Sequence, residues 1–147
     1  MPQAKSQTPK VSVDYSPHQY QKEVHSFAYL KHRVLCCSRR FGKSTLALAE
    51  AFNYAVNNPK ANIYIIAPTY GEAERIYWRN KNMLDKSVPF NARVQTNENK
   101  LFVQLFNQSV INFVGADNKE GLRGLSIDFL IFDEASYMDE DVWPVVS

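Results

Sequence analysis

The chain has 147 residues, enough for one domain with a core of its own. Hydrophobic residues make up 45% and charged residues 22%, the composition of an ordinary globular protein. The net charge of +2 is too small for a general nucleic-acid coat, so any DNA contact must come from local patches. The two cysteines, Cys36 and Cys37, are adjacent. A structural disulfide between them is not expected, and that usage suits a reducing, cytosolic compartment.

In chain order, Met1 to Val13 is polar and Lys-bearing, without the apolar centre of a signal peptide, and reads as a mobile arm over 1–13. The segment Y-S-P-H-Q-Y-Q-K-E-V-H opens a first helix. Ser16 is its expected N-cap, Pro17 its first residue, and Gln19 completes a capping box. Tyr20, Val24, Phe27 and Ala28 then share one face. Gln21 has no such local task. It reads either as an exposed helix Gln or as an amide that donates to and accepts from an adenine edge.

Arg33 to Cys36 reads as a short buried strand, Cys37 to Lys43 as a tight loop, and Ser44 onward as a helix with a stripe of Leu46, Ala49, Phe52 and Val56. The loop ends in Gly42-Lys43-Ser44-Thr45, the second half of a phosphate-binding loop. Successive N–H groups and a helix N-terminus make a positive hollow for phosphate oxygens. Lys43 is placed to reach the β- and γ-phosphates, and the Ser44 hydroxyl to hold Mg²⁺. Cys37 stands where that motif has its first Gly.

Asn62 to Ala67 is a mostly apolar, β-branched run expected as a buried parallel strand. A third helix is predicted over Gly71 to Leu84, with Ala73, Ile76, Tyr77 and Leu84 on one side. Short β-runs near 92–115, separated by Asn97-Glu98-Asn99-Lys100 and Asn107-Gln108-Ser109, predict an antiparallel meander. A Gly-punctuated loop from Gly115 to Ser126 leads to a strand from Asp128 to Phe132, which ends in Asp133-Glu134.

A strand ending in an acid delivers its carboxylate to the carboxyl edge of a parallel sheet, where ligands of open α/β folds collect. Asp133 would complete the Mg²⁺ site begun by Ser44. Glu134, one residue on, would polarise a water for attack on the γ-phosphate. Together the motifs predict binding of a nucleoside triphosphate with Mg²⁺ and its hydrolysis. No apolar run approaches the length of a membrane span.

The chain resembles the ATPase domain of the large terminase subunit, the motor that packages DNA into tailed bacteriophage capsids. The likeness is carried by Y-S-P-H-Q-Y-Q-K-E-V-H, C-S-R-R-F-G-K-S-T, A-P-T-Y-G-E-A-E, G-L-R-G-L-S-I-D and L-I-F-D-E-A-S, in that order from Tyr15 to Ser136. It implies a P-loop NTPase fold of the ASCE, RecA-like kind, with a mostly parallel central sheet flanked by helices. It implies ATP and Mg²⁺ as cofactors, with ATP contacts from Gln21, Ser38, Arg39, Arg40, Phe41, Gly42, Lys43, Ser44 and Thr45. Gln21 is similar to the family's adenine-contacting Gln. Arg39 matches an arginine that senses or stabilises the γ-phosphate within its own subunit. Arg123 matches an arginine finger acting on a neighbouring subunit, against the plain alternative of a solvated loop Arg. Arg40 is open to a phosphate or to a nearby carboxylate.

The implied partners are double-stranded DNA, the portal protein, the small terminase subunit and further copies in a ring, a pentamer, in the host cytoplasm. Because the family continues into a coupling motif and a nuclease domain, 14–147 is expected to be an incomplete ATPase domain that hydrolyses ATP weakly alone. A helicase-type translocase shares the loop, the D-E strand end and an upstream Gln. Its loop usually carries small residues where this one has Arg39, Arg40 and Phe41.

Overall fold

The computed structural model describes residues 10–146. The sheet has five strands in the order β2-β3-β4-β1-β5. They are β1 (Asn62–Ala67), β2 (Arg93–Asn97), β3 (Phe102–Leu105), β4 (Val110–Gly115) and β5 (Phe129–Phe132). Strand β1 lies between β4 and β5 and runs parallel to both. Its Ile63, Ile65, Ile66 and Ala67 are fully buried, as a strand with neighbours on both sides and layers above and below requires. The meander of β2, β3 and β4 is antiparallel as expected, but it is not a separate appendage. Through β4 it joins the parallel part of the same sheet.

The helices are α1 (Gln19–Ser26), α2 (Lys43–Asn57), α3 (Tyr70–Ala73), α4 (Lys81–Ser87), α5 (Lys119–Leu122) and α6 (Val142–Val146). Helix α2 covers one face of the sheet. Leu48, Ala51, Phe52 and Ala55 join Ile63, Ile65, Ile111 and Phe113 in the main core. A smaller cluster of Ile66, Ala116, Leu122 and Val142 packs on the other side of β1 and β5. Among the described residues no helix is long and apolar enough to cross a membrane.

Four expectations need correction. The predicted strand Arg33 to Cys36 does not form. Val34 is 91% exposed and Leu35 and Cys36 are exposed, because among the described residues no strand lies alongside to complete a ladder. The first helix is capped by His18, not Ser16, and the capping box is closed by Gln21, not Gln19. Its stripe does not face the core, since Tyr20 and Phe27 are exposed.

The predicted third helix breaks in two. After α3 the chain widens into a π-helical turn, Glu74–Trp78, and then stops. Asn80 starts α4 by accepting a hydrogen bond from the Met83 N–H through its side chain. Residues 1–9 of the expected arm lie outside the described residues. The Lys10 carbonyl accepts from the Asn91 amide at 2.9 Å, and Val11 packs on the main core.

Candidate nucleotide site

Gly42 is the N-cap of α2, in the left-handed region at φ +83°. A Cβ there would be strained by that backbone and would meet Gln21 Nε2 at 2.8 Å. The N-terminus of α2 has no side-chain cap and no acid in its first turn. Its first N–H groups therefore remain available to an anion, with the helix dipole behind them. Arg40, at φ +65°, makes a second left-handed turn in the loop.

The loop is held from below by α1. The His18 Nε2–H donates to the Phe41 carbonyl at 2.8 Å, and Gln21 Nε2 donates to the Gly42 carbonyl at 3.3 Å. Gln21 is buried, and its Oε1 accepts from the His18 N–H at 3.0 Å. Both ends of the amide are thus engaged, one with the cap of α1 and one with the phosphate loop. His18 was not singled out from the sequence, because a histidine beside Pro17 carries no motif. His18, Tyr20, Arg39, Arg40 and Phe41 line a cleft of about 340 Å³ beside the loop.

Strand β5 brings the acids to this helix end. The Asp133 N–H donates to the Ile66 carbonyl at 2.9 Å, which fixes the strand end beside β1. The Ser44 hydroxyl donates to Asp133 Oδ2 at 3.0 Å. Lys43 Nζ lies 3.2 Å from Glu134 Oε1. Glu134 is itself left-handed at φ +56°, so the chain turns sharply there. The four residues of the two predicted motifs therefore meet across the gap between α2 and β5. Hard oxygen donors from a hydroxyl and a carboxylate, beside uncapped N–H groups, fit Mg²⁺ with a phosphate chain.

Asp133 has a further partner that the sequence reading did not find. The buried Tyr77 hydroxyl donates to the same Oδ2 at 2.5 Å. Burial first, and the Asp133 carboxylate second, push the Tyr77 phenol well above its ordinary value, so it stays a proton donor.

The predicted arginines stand apart from this cluster. Arg39 and Arg40 are exposed on the loop. Arg123, at the C-terminus of α5, is exposed and its ion pair at 3.6 Å is with Glu120.

Behind the loop a buried carboxylate ties α1 and the loop's approach to α2. Glu50 accepts from Arg33 Nη2 at 2.7 Å and from His25 Nδ1–H at 2.5 Å, while His25 Nε2 accepts from the Tyr15 hydroxyl at 2.9 Å. Burial, and secondarily the Glu50 charge, push Tyr15 up to about 12. Removing one member of a buried ion pair strands the other charge. Glu50→Ala is therefore expected to destabilise the protein by about 3 kcal/mol. Denaturant unfolding measures this, and a loss below about 0.5 kcal/mol, the range of a plain surface change, would contradict it.

The family profile of the terminase large subunit, T4likevirus-type, N-terminal, matches residues 34–142. The terminase large subunit of Thermus virus P23-45 is 32% identical across 89% of this chain, and that of Thermus phage G20c is 33% identical across 89%. The terminase large subunit of Escherichia phage T5 is 32% identical across 74%. The chain spans 25–30% of the length of these relatives. Among solved structures, the large terminase ATPase domain of Thermus phage P74-26 superposes with a TM-score of 0.71 at 28% identity, covering 91% of this chain and 60% of that one. A mutant of the same domain gives 0.75. These matches run through both motifs of the site, and the chain belongs to the terminase large subunit family, in which it matches the N-terminal part.

Proposed function

We propose that this chain is the ATP-binding and hydrolysing part of a terminase large subunit that drives double-stranded DNA into a procapsid. The observation that carries the reading is the meeting of Lys43 and Ser44, at the uncapped N-terminus of α2, with Glu134 and Asp133 at the end of β5. In it, the loop N–H groups from Ser38 to Thr45 cradle the phosphates of ATP, and Lys43 neutralises the β- and γ-phosphates. Ser44 and Asp133 would hold Mg²⁺, which when bound would screen the phosphate charge. Glu134 accepts the proton of the attacking water.

Lys43 cannot serve the phosphates and Glu134 equally. An arriving triphosphate competes for the Lys43 ammonium and releases the Glu134 carboxylate for the water. Until a triphosphate displaces it, the ion pair keeps the general base engaged. Phe41 and Arg40 border the nucleotide at the loop, and Arg39 stabilises the γ-phosphate of its own subunit. Gln21 reads the adenine once it exchanges its present partners, while its bond to Gly42 couples that exchange to the loop.

Arg123 supplies its charge to a neighbouring subunit, to which its exposure is suited. The partners are DNA, the portal protein, the small terminase subunit and further copies in a pentameric ring at the procapsid, in the host cytoplasm.

ATP turnover by the whole subunit tests both the hydrolytic reading and the shared site. Arg123→Ala and Glu134→Gln subunits are each expected to be inactive alone. Mixed assemblies regain turnover, because an intact Glu134 then receives an Arg123 from its neighbour. Failure of every mixture to regain activity would contradict action across the subunit boundary. Full turnover by both variants alone would overturn the catalytic assignment.

A further inference from the structure

We propose that Tyr77 is a positioning residue for the metal-binding carboxylate, its hydroxyl holding Asp133 Oδ2 so that the other oxygen is kept free for the cation. The proposal rests on the reading of Ser44 and Asp133 as the Mg²⁺ ligands and goes one step behind it, to the group that sets the orientation of the acid.

Three observations carry it. Asp133 Oδ2 accepts from both Tyr77 and Ser44, whereas among the described residues nothing donates to Oδ1. A carboxylate with both bonds on one oxygen is fixed in rotation and keeps its second oxygen for a cation. The Ser44 hydroxyl can keep its bond to Asp133 while a lone pair meets the cation, so its position is shared between the two. Tyr77 is the donor whose only hydrogen-bond partner among the described residues is Asp133.

The second observation is the rigidity of the donor. The Tyr77 ring is fully buried and stacks on Phe113 of β4, with centroids 5.3 Å apart and planes 30° apart. It cannot swing away without opening the core. Tyr77 therefore transmits the position of the helix that follows β1 directly to the acid at the end of β5.

The third is the backbone. Tyr77 sits in the π-helical turn Glu74–Trp78, where the Arg79 N–H reaches the Glu74 carbonyl at 2.8 Å. Such turns are rare and insert one residue into a helix. Here the wide turn lets Tyr77 and its neighbour Trp78 both face Phe113, the latter edge-on at 6.1 Å. The helix departs from α geometry at the position that delivers a phenol to the acid.

The test is nucleotide binding by the whole terminase subunit, followed with a fluorescent ATP analogue over a Mg²⁺ titration and in EDTA. Tyr77→Phe keeps the ring and removes one oxygen. It is expected to raise the Mg²⁺ concentration for half-maximal binding about tenfold, the worth of one hydrogen bond to a charged group, and to leave affinity in EDTA unchanged. Phe113→Leu disturbs the same ring but keeps the hydroxyl. It is expected to lower the melting temperature without moving the Mg²⁺ requirement.

An unchanged Mg²⁺ requirement in Tyr77→Phe overturns the proposal, as does an equal rise in both variants, which would reduce Tyr77 to a core residue. Asp133→Asn separates this from the underlying site. If Asp133→Asn raises the Mg²⁺ requirement and Tyr77→Phe does not, only the positioning role fails. If neither does, the metal assignment fails with it.

Discussion

Glu134→Gln in the whole subunit is expected to slow ATP turnover by about 10²–10⁴-fold, the range that a positioned general base contributes. Binding is expected to survive. Gln has nearly the same volume and adopts the left-handed backbone of Glu134 no worse than Glu does. The exchange also removes the ion pair that occupies Lys43 at 3.2 Å. Lys43 then meets the phosphates without a competitor, so ATP affinity should hold or rise. Binding without turnover, read by equilibrium binding and single-turnover hydrolysis on one preparation, is the signature of a lost base. Normal turnover would move the base elsewhere, and lost binding would make Glu134 a structural partner of Lys43.

Much of this site is legible in the sequence. Gly42-Lys43-Ser44-Thr45 and Phe132-Asp133-Glu134 are local patterns whose chemistry follows from residue type and from the strand or helix that carries each. A buried run such as Asn62 to Ala67 makes a strand in almost any context, and it does so at the centre of this sheet. The loop reaches the acid-ended strand β5 because α2, which it caps, packs across β1 and β5.

What escaped the reading depends on distant partners. Arg33 to Cys36 has the composition of a strand, but a strand forms only against a neighbour, and none flanks it among the described residues. Ser16-Pro17 looks like a helix start by itself. His18 prevails because its ring accepts from the Gln21 N–H and also reaches the Phe41 carbonyl of the loop, a bond across 23 positions. The same competition gave Gln21 the capping task expected of Gln19.

Tyr77 was legible as a core residue of an apolar stripe and as nothing more. Its acceptor lies 56 positions away. The π-turn that aims it leaves no trace in a 3.6-residue periodicity. Arg39, Arg40 and Arg123 are the reverse case. Resemblance marks them, while in the fold they stand exposed, apart from the acids at the end of β5.

If the loop before α2 and the acids of β5 form one site for Mg-ATP, Lys43→Ala should expose it, because Lys43 pairs with one of the acids and is half-exposed, so its loss should spare the fold. Calorimetric titration of the whole subunit with ATP and Mg²⁺ gives the number. The wild type is expected to bind saturably and Lys43→Ala to lose about 100-fold or more, the worth of charge-assisted bonds to the phosphates. Equal affinity in a folded Lys43→Ala protein would contradict it.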